Sequence, residues 1–284
     1  MKKYFVLVLL ACLLISVELL AQQPQQGQQP RPPQIQIPNP RVEMERYLAL
    51  TTEQRQAENK VLLEMFDQLR VADVRDGLDW IGYFGFGSLD VSVRPLWQTT
   101  AVGIARTARY LPFEGPYPVE RGEDYTRWQS RYYSVVSTYP WLNEIEPGDF
   151  MAIDVSGVDA GLMGSENTLR CLLRGVRGFV FNGGGMRDTD EVILQKIPSW
   201  GTFLSQSMVQ ARIRFDVKDV PVAIGGVAIY PGDIILADND CVIVVPRGVA
   251  EQVFFFAARG LESDKETRRR LYEQLGWDLD ETVQ

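Results

Sequence analysis

No histidine occurs anywhere in the 284 residues. Its absence excludes Ser-His-Asp and Cys-His catalysis, His-ligated zinc and the two-His iron triad. A catalytic metal in such a chain has to sit among oxygen donors, which selects Mg²⁺, Mn²⁺ or Ca²⁺. Cysteine is scarce: Cys12, Cys171 and Cys241. Cys171 falls among leucines in a helical pattern and Cys241 in an apolar strand pattern, so both read as small core residues. A disulfide between them is compatible with the pattern but not indicated by it. Positive charge is in deficit, with 29 Lys and Arg against 37 Asp and Glu and a formal net charge of −8. Nucleic-acid binding needs a basic footprint, so no nucleic-acid partner is expected.

Long apolar runs are also missing. The most extended, Tyr4 to Val17, is too short for a comfortable membrane span. It follows Lys2-Lys3 and precedes Leu19-Leu20-Ala21, the pattern of a secretory signal peptide over residues 1–21, cleaved after Ala21. The alternative is a lipoprotein box, Leu9-Leu10-Ala11-Cys12, with Cys12 acylated. Either reading exports the mature chain, periplasmic or secreted, with no integral span left in it.

Residues 22–40 are rich in Gln and Pro and read as a tether without a core. Residues 41–284 have an ordinary globular composition and read as a single α/β domain. Helices are predicted at Val42–Ala49 and Thr52–Leu69, the second with Leu62, Leu63, Phe66 and Leu69 at helical spacing. A short helix in 71–82 puts Asp73, Asp76 and Asp79 on one face. That face reads as solvated or capping acid in preference to a metal site. An apolar strand is predicted at Ala101–Tyr110. Aromatics then crowd an insertion at about 110–141, with one helix across Tyr125–Tyr133. Packing against the body or another subunit is favoured there over a stacking platform for a sugar or aromatic ligand.

Two Pro-Gly-Asp turns, at Pro147 and Pro231, open buried strands at Phe150–Val155 and Ile234–Leu236. Three short apolar strands are expected between Pro221 and Pro246. Two helices, Val249–Arg259 and Asp264–Leu275, close the chain. Loosely alternating strands and helices indicate an α/β domain with a mixed sheet.

Chemistry concentrates between Gly164 and Glu191. A helix starting at Gly164-Ser165 is followed by a buried strand at Phe179–Phe181 and a loop, Asn182-Gly183-Gly184-Gly185-Met186-Arg187-Asp188. A helix N-terminus offers unpaired N–H groups and partial positive charge to a carboxylate or phosphate. Arg187 can grip the same anion through two donors, and Asp188 is a hard oxygen ligand of the kind Mg²⁺ takes. The bland alternative is a surface glycine loop with a solvated Arg-Asp pair, whose Thr189, Asp190 and Glu191 start the next helix.

Several segments together resemble the family of the regulator of ribonuclease activity A (RraA), over roughly residues 50–260. They are D-V-R-D-G-L-D, the G-D-F-M-A-I-D-V strand, the G-x(10)-G-x-x-G-F-V helix–strand unit, the N-G-G-G-M-R-D-T-D-E loop and the P-V-A-I-G-G-V-A-I-Y-P-G-D-I-I-L-A-D-N-D tail. The resemblance implies a swivelling β/β/α sandwich, here with N- and C-terminal helical extensions, assembled into trimers or hexamers with sites between subunits. Metal-dependent aldolases of the family cleave 4-hydroxy-4-methyl-2-oxoglutarate and related acids. By position, the amides of Gly164, Ser165, Glu166 and Asn167 would hold the substrate carboxylate together with Arg187. Asp188 would hold Mg²⁺ or Mn²⁺, a Lewis acid for the 2-oxo oxygen. Departures occur where aldolases commonly have an acid directly after the helix glycine, here Ser165, and where Asp-Gly becomes Asp240-Cys241.

The expected function is therefore a divalent-metal-dependent lyase on a small 2-oxo acid, releasing pyruvate. The alternatives are a non-catalytic RraA-like regulatory protein and an exported small-acid binding module.

Overall fold

The computed structural model describes residues 38–116 and 124–284. The expected signal peptide, Cys12 and most of the Gln/Pro tether lie outside these residues. Three helices precede the sheet. Pro40–Ala49 (α1) starts behind Asn39, whose side chain accepts from the Arg41 N–H. Thr52–Phe66 (α2) starts in a capping box between Thr51 and Gln54, which satisfies two otherwise orphaned N–H groups. It ends short of the expected Leu69. A turn there bonds Leu69 N–H to Phe66 O and returns Leu69 to the core.

Val71–Trp80 (α3) carries the three aspartates. Asp73 is buried and accepts from the Arg70 N–H and guanidinium, Asp79 pairs with Arg75 at 2.8 Å, and Asp76 is exposed. Cap, ion pair and solvent thus account for them separately. Among the described residues no group of three His, Cys, Asp or Glu side chains is arranged to hold a metal.

The main sheet uses Arg94–Pro95 (β1), Ala101–Pro112 (β2), Asp149–Asp154 (β3), Gly178–Asn182 (β4), Ser199–Gly201 (β5) and Ile213–Lys218 (β6). After a hairpin of Val222–Ile224 (β7) and Val227–Ile229 (β8) come Ile234–Ala237 (β9) and Val242–Val245 (β10). The order is β1-β5-β4-β3-β2-β9-β10, with β6 also on β2. β2, β3, β4 and β5 run parallel, and β9 returns antiparallel to β2. The result is a mixed α/β fold whose nearly closed sheet is flanked by helices, as expected for a swivelling β/β/α sandwich.

Strand alternation separates the cores. On β3, Met151 and Ile153 join Tyr110, Trp141, Phe179 and Phe181, while Phe150 and Ala152 face Trp200, Ile224 and Val244. A third core packs Phe66, Val74, Leu78 and Val253 against Val102 and Ile104. The aromatic insertion, which includes a helix at Asp124–Val135 (α4), serves the first of these cores. The Trp141 indole N–H donates to the Tyr110 hydroxyl at 3.0 Å, which donates to Thr138 O at 2.7 Å.

Two expectations need correction. The stretch from Pro221 to Pro246 forms four strands, not three, because Gly225 and Gly226 turn a tight hairpin at φ 54° and 77°. Positive φ at both turn positions matches the twist of the flanking strands and favours glycine. The two closing helices are one, Ala250–Leu275, following Ser165–Leu172 (α5) and Thr189–Leu194 (α6) and here α7. An interior glycine such as Gly260 costs about 1 kcal/mol. Burying Leu261, which extends the Val253–Ala257 stripe, returns about 1.5–3 kcal/mol.

Both Pro-Gly-Asp turns close on their aspartate. Asp149 accepts from the Glu146 N–H at 2.8 Å, and Asp233 from the Tyr230 N–H at 2.9 Å. Burial raises the pKa of both carboxyls, that of Asp233 to about 7. An unfolded Asp titrates near about 3.9. The folded protein therefore holds the Asp233 proton more tightly, and stability from this group is full below about pH 4 and lost as pH rises to about 7. Asp233→Asn should flatten that part of the profile: the fall in thermal midpoint between about pH 4 and pH 7 becomes smaller than in the wild type. Parallel profiles for the two proteins would show that Asp233 does not titrate there.

Candidate functional site

The segment that follows β3 and the loop after β4 are stitched together by backbone. Met163 N–H donates to Gly185 O at 2.8 Å, and Arg187 N–H to Met163 O at 2.9 Å. Met163 and Met186 form an isolated parallel bridge. These bonds bring the start of α5 beside Arg187-Asp188, although the two lie on different elements.

The approach is close enough to require glycine. A Cβ at Gly164 would fall 2.1 Å from Asp188 Oδ2, and one at Gly161 2.6 Å from Arg187 Cδ. No side chain caps α5 at Gly164. The N–H groups of Ser165, Glu166 and Asn167 have no acceptor among the described residues. They are the donors a helix start leaves open. Asp188 sits in the left-handed region at φ 55°, ψ 44° as the N-cap of α6. That conformation costs an L residue roughly 1–2 kcal/mol and is held here by the Met163 bond to its neighbour and by Val192 N–H on Asp188 O.

Arg187 Nε lies 3.1 Å from Asp188 Oδ1, with the two side chains 33% and 37% exposed. An ion pair this open is worth about 0–1 kcal/mol, so a ligand can take over either partner at little cost. Asp188 Oδ2, facing Gly164, carries no bond to a cation among the described residues.

The expected residues therefore converge, with differences in detail. Gly164, Ser165, Arg187 and Asp188 share one surface. Glu166 contributes backbone only: its carboxylate pairs with Arg170 at 2.6 Å on the exposed face of α5. The Asn167 amide turns back to Leu162 O at 3.4 Å. Two further residues belong to this surface. Gly161 makes room for the Arg187 stem, and the Tyr139 hydroxyl donates to the same Leu162 O at 2.9 Å. Burial lifts the Tyr139 pKa well above the ordinary phenol value, against the opposing influence of nearby Asn167 and Arg187. Tyr139 lay in the aromatic insertion, where composition signals packing and carries no sign of which backbone it would brace. Gly161 is one of many glycines, and its partner is apparent only in three dimensions.

The Aldolase/RraA model of the RraA-like family matches residues 71–244. The chain belongs to the RraA-like family. The matched region contains the whole of this surface, and the RraA-like domain thus carries the Gly164–Asp188 apposition. Similarity extends to a Halalkalibacterium halodurans protein named "Putative 4-hydroxy-4-methyl-2-oxoglutarate aldolase", 28% identical over 217 residues, covering 73% of this chain and 87% of that one. Protein DlpA of Legionella pneumophila is 27% identical over 194 residues, covering 68% of this chain. The match spans 28% of DlpA's own length. Among solved structures, Streptomyces coelicolor RraAS2, described as an unusual member of the RNase ES inhibitor RraA protein family, is 25% identical with a TM-score of 0.58. That alignment covers 73% of this chain and 95% of RraAS2.

Proposed function

We propose that this RraA-like protein is a divalent-metal-dependent lyase that cleaves or decarboxylates a small 2-oxo acid with release of pyruvate. The observation that carries the reading is the contact of Asp188 Oδ2 with Gly164 at the uncapped start of α5. The amides of residues 164–167 and the Arg187 guanidinium hold the substrate carboxylate, each supplying positive partial or full charge. Asp188 presents one free carboxylate oxygen. Mg²⁺ and Mn²⁺ suit hard oxygen donors, and Mg²⁺ commonly takes one or two protein carboxylates, with water and substrate oxygens completing its shell. The donor set therefore fits such an ion, held by Asp188. A bound divalent cation supplies Lewis acidity at the 2-oxo oxygen. Arg187 and the amides fix the acid in the orientation that uses it.

A second reading, a binding module that holds small acids without turnover, is favoured by one observation. Ser165 replaces an acid, and Glu166 does not substitute for it because Arg170 engages its carboxylate.

Oxaloacetate and oxalate separate the two. The lyase releases pyruvate from oxaloacetate with Mg²⁺, and Asp188→Ala lowers this by at least about a hundredfold. Oxalate raises the thermal midpoint only when Mg²⁺ is present. Binding of oxalate with no turnover of any 2-oxo acid would establish the module instead.

The reading includes export and assembly into a trimer or hexamer. Leu173, just past the end of α5, and Leu194, the last residue of α6, are 87% and 83% exposed. Apolar side chains so open suit burial against a second copy. Native mass spectrometry of protein from its host addresses both points. A monomer that begins at Met1 would contradict both.

A further inference from the structure

A cavity of about 540 Å³ lies at the opposite end of β3 from the Gly164–Asp188 surface. The six residues of β3, about 20 Å long at roughly 3.3 Å per residue, run between the two. Tyr47 and Leu48 of α1 and Arg55 and Gln56 of α2 form one wall, and Arg106 of β2 and Glu144 stand on the other. Helices α1 and α2 precede residues 71–244, the part that matches the family model. The cavity thus lies between helices that precede the matched residues and the matched domain itself.

Its chemistry is set by one guanidinium. Arg106 is 11% exposed, and its Nε donates to the buried Asp149. Its Nη1 stops 3.6 Å from Asp219 Oδ1, and no hydrogen bond leaves Nη1 or Nη2 among the described residues. Nη1 faces Asp219 across that ion pair, and the Nη2 edge stays open to solvent or to whatever occupies the cavity. Arg55 offers nothing comparable. Glu146, Leu50 O at 2.7 Å and Thr52 Oγ1 at 3.1 Å already occupy it.

The acids on the wall narrow the ligand. Lys218 Nζ bonds both Glu144 and Asp219. Arg55 and Arg106 face Glu144, Glu146 and Asp219, so the lining has one more negative than positive group. A simple anion would satisfy Arg106 but lie among surplus carboxylates. A ligand carrying both charges matches both ends, and Leu48, Ile145 and Pro231 give its apolar part a surface. The volume lies within the range of about 300–1,000 Å³ usual for small-molecule sites.

We propose that this cavity binds a small zwitterion of the α-amino acid class, its carboxylate on the free edge of Arg106 and its ammonium towards Asp219 and Glu144. The full chain is titrated by calorimetry and thermal shift with the standard L-amino acids one at a time, and with acetate and methylammonium as single-charge controls. At least one amino acid should bind one to one and raise the midpoint, with both controls at least tenfold weaker. Gln56→Trp, an exposed change that plugs the mouth without touching an ion pair, should weaken binding at least tenfold. Arg106→Lys, which keeps the charge but loses the planar fork, should do the same. Gln56→Trp decides the matter if Arg106→Lys fails to fold. Asp188→Ala should bind normally. The proposal is overturned if no amino acid binds up to about 10 mM, or if acetate binds as tightly as the best amino acid. It is equally overturned if Gln56→Trp leaves affinity unchanged, or if Asp188→Ala abolishes it, since the ligand would then occupy the other site.

Discussion

Gly164→Ala is expected to reduce pyruvate release from oxaloacetate by at least about a hundredfold, the scale of loss from a misplacement of about 1 Å in a catalytic site. The new methyl group would stand 2.1 Å from Asp188 Oδ2, well inside contact distance. Either the carboxylate swings away or the start of α5 retreats. Both outcomes separate the open amides from the Asp188 oxygen. Global stability should suffer less, because Asp188 and Arg187 are partly exposed and have room to move outward. Glycine is preferred to alanine at an N-cap, so the helix start gains nothing from the change. The predicted signature is lost turnover with a thermal midpoint close to wild type and loss of the Mg²⁺-dependent oxalate shift. Full activity in a folded Gly164→Ala protein would show that the apposition has no part in the chemistry.

Trp141→Ala should cost about 3–5 kcal/mol in urea unfolding, the range for deleting a buried aromatic side chain. Trp141 is fully buried, lies edge-on to Tyr139 at 5.7 Å and donates to the Tyr110 hydroxyl. Its removal would leave a large void and one unmet hydroxyl acceptor at the centre of the core shared by β2, β3 and β4. Trp141→Phe, which keeps most of the volume but drops the indole donor, should cost about 1–2 kcal/mol. Tyr139, which braces Leu162 O, packs on the same rings, so the alanine variant should also lose activity beyond its loss of folded protein. A cost below about 1 kcal/mol, the size expected away from a packed core, would mean that the insertion is not core and would revive the stacking-platform reading.

Much of this was legible in the residue order. Helical spacing placed α2 and its buried Phe66, and a Pro-Gly-Asp turn followed by an apolar run placed β3 as a buried strand. The run from Gly164 to Asp188 was readable as helix, strand and loop because each piece has its own local signature. The misplaced boundaries were of another kind. Gly260 looked like a break, yet Leu261 kept its place in the buried stripe, and packing outweighed propensity. The expected three strands between Pro221 and Pro246 became four because Gly225-Gly226 turns a hairpin of its own. The aspartates of α3 take capping, paired and solvated roles, as their spacing suggested, with Arg70 and Arg75 on two of them.

By itself, then, the residue order determined what kinds of chemistry are closed to this protein, which stretches bury which faces, and membership of the RraA-like family. Tertiary structure alone decided that Gly161 and Gly164 lie against Arg187 and Asp188, that Tyr139 holds Leu162, and that Arg106 keeps a free edge in a cavity made by the N-terminal helices. The physical reason is range. Periodicity and turn chemistry act over a few residues, whereas these contacts are set by backbone bonds such as Met163 to Gly185 and by helices packed from distant parts of the chain.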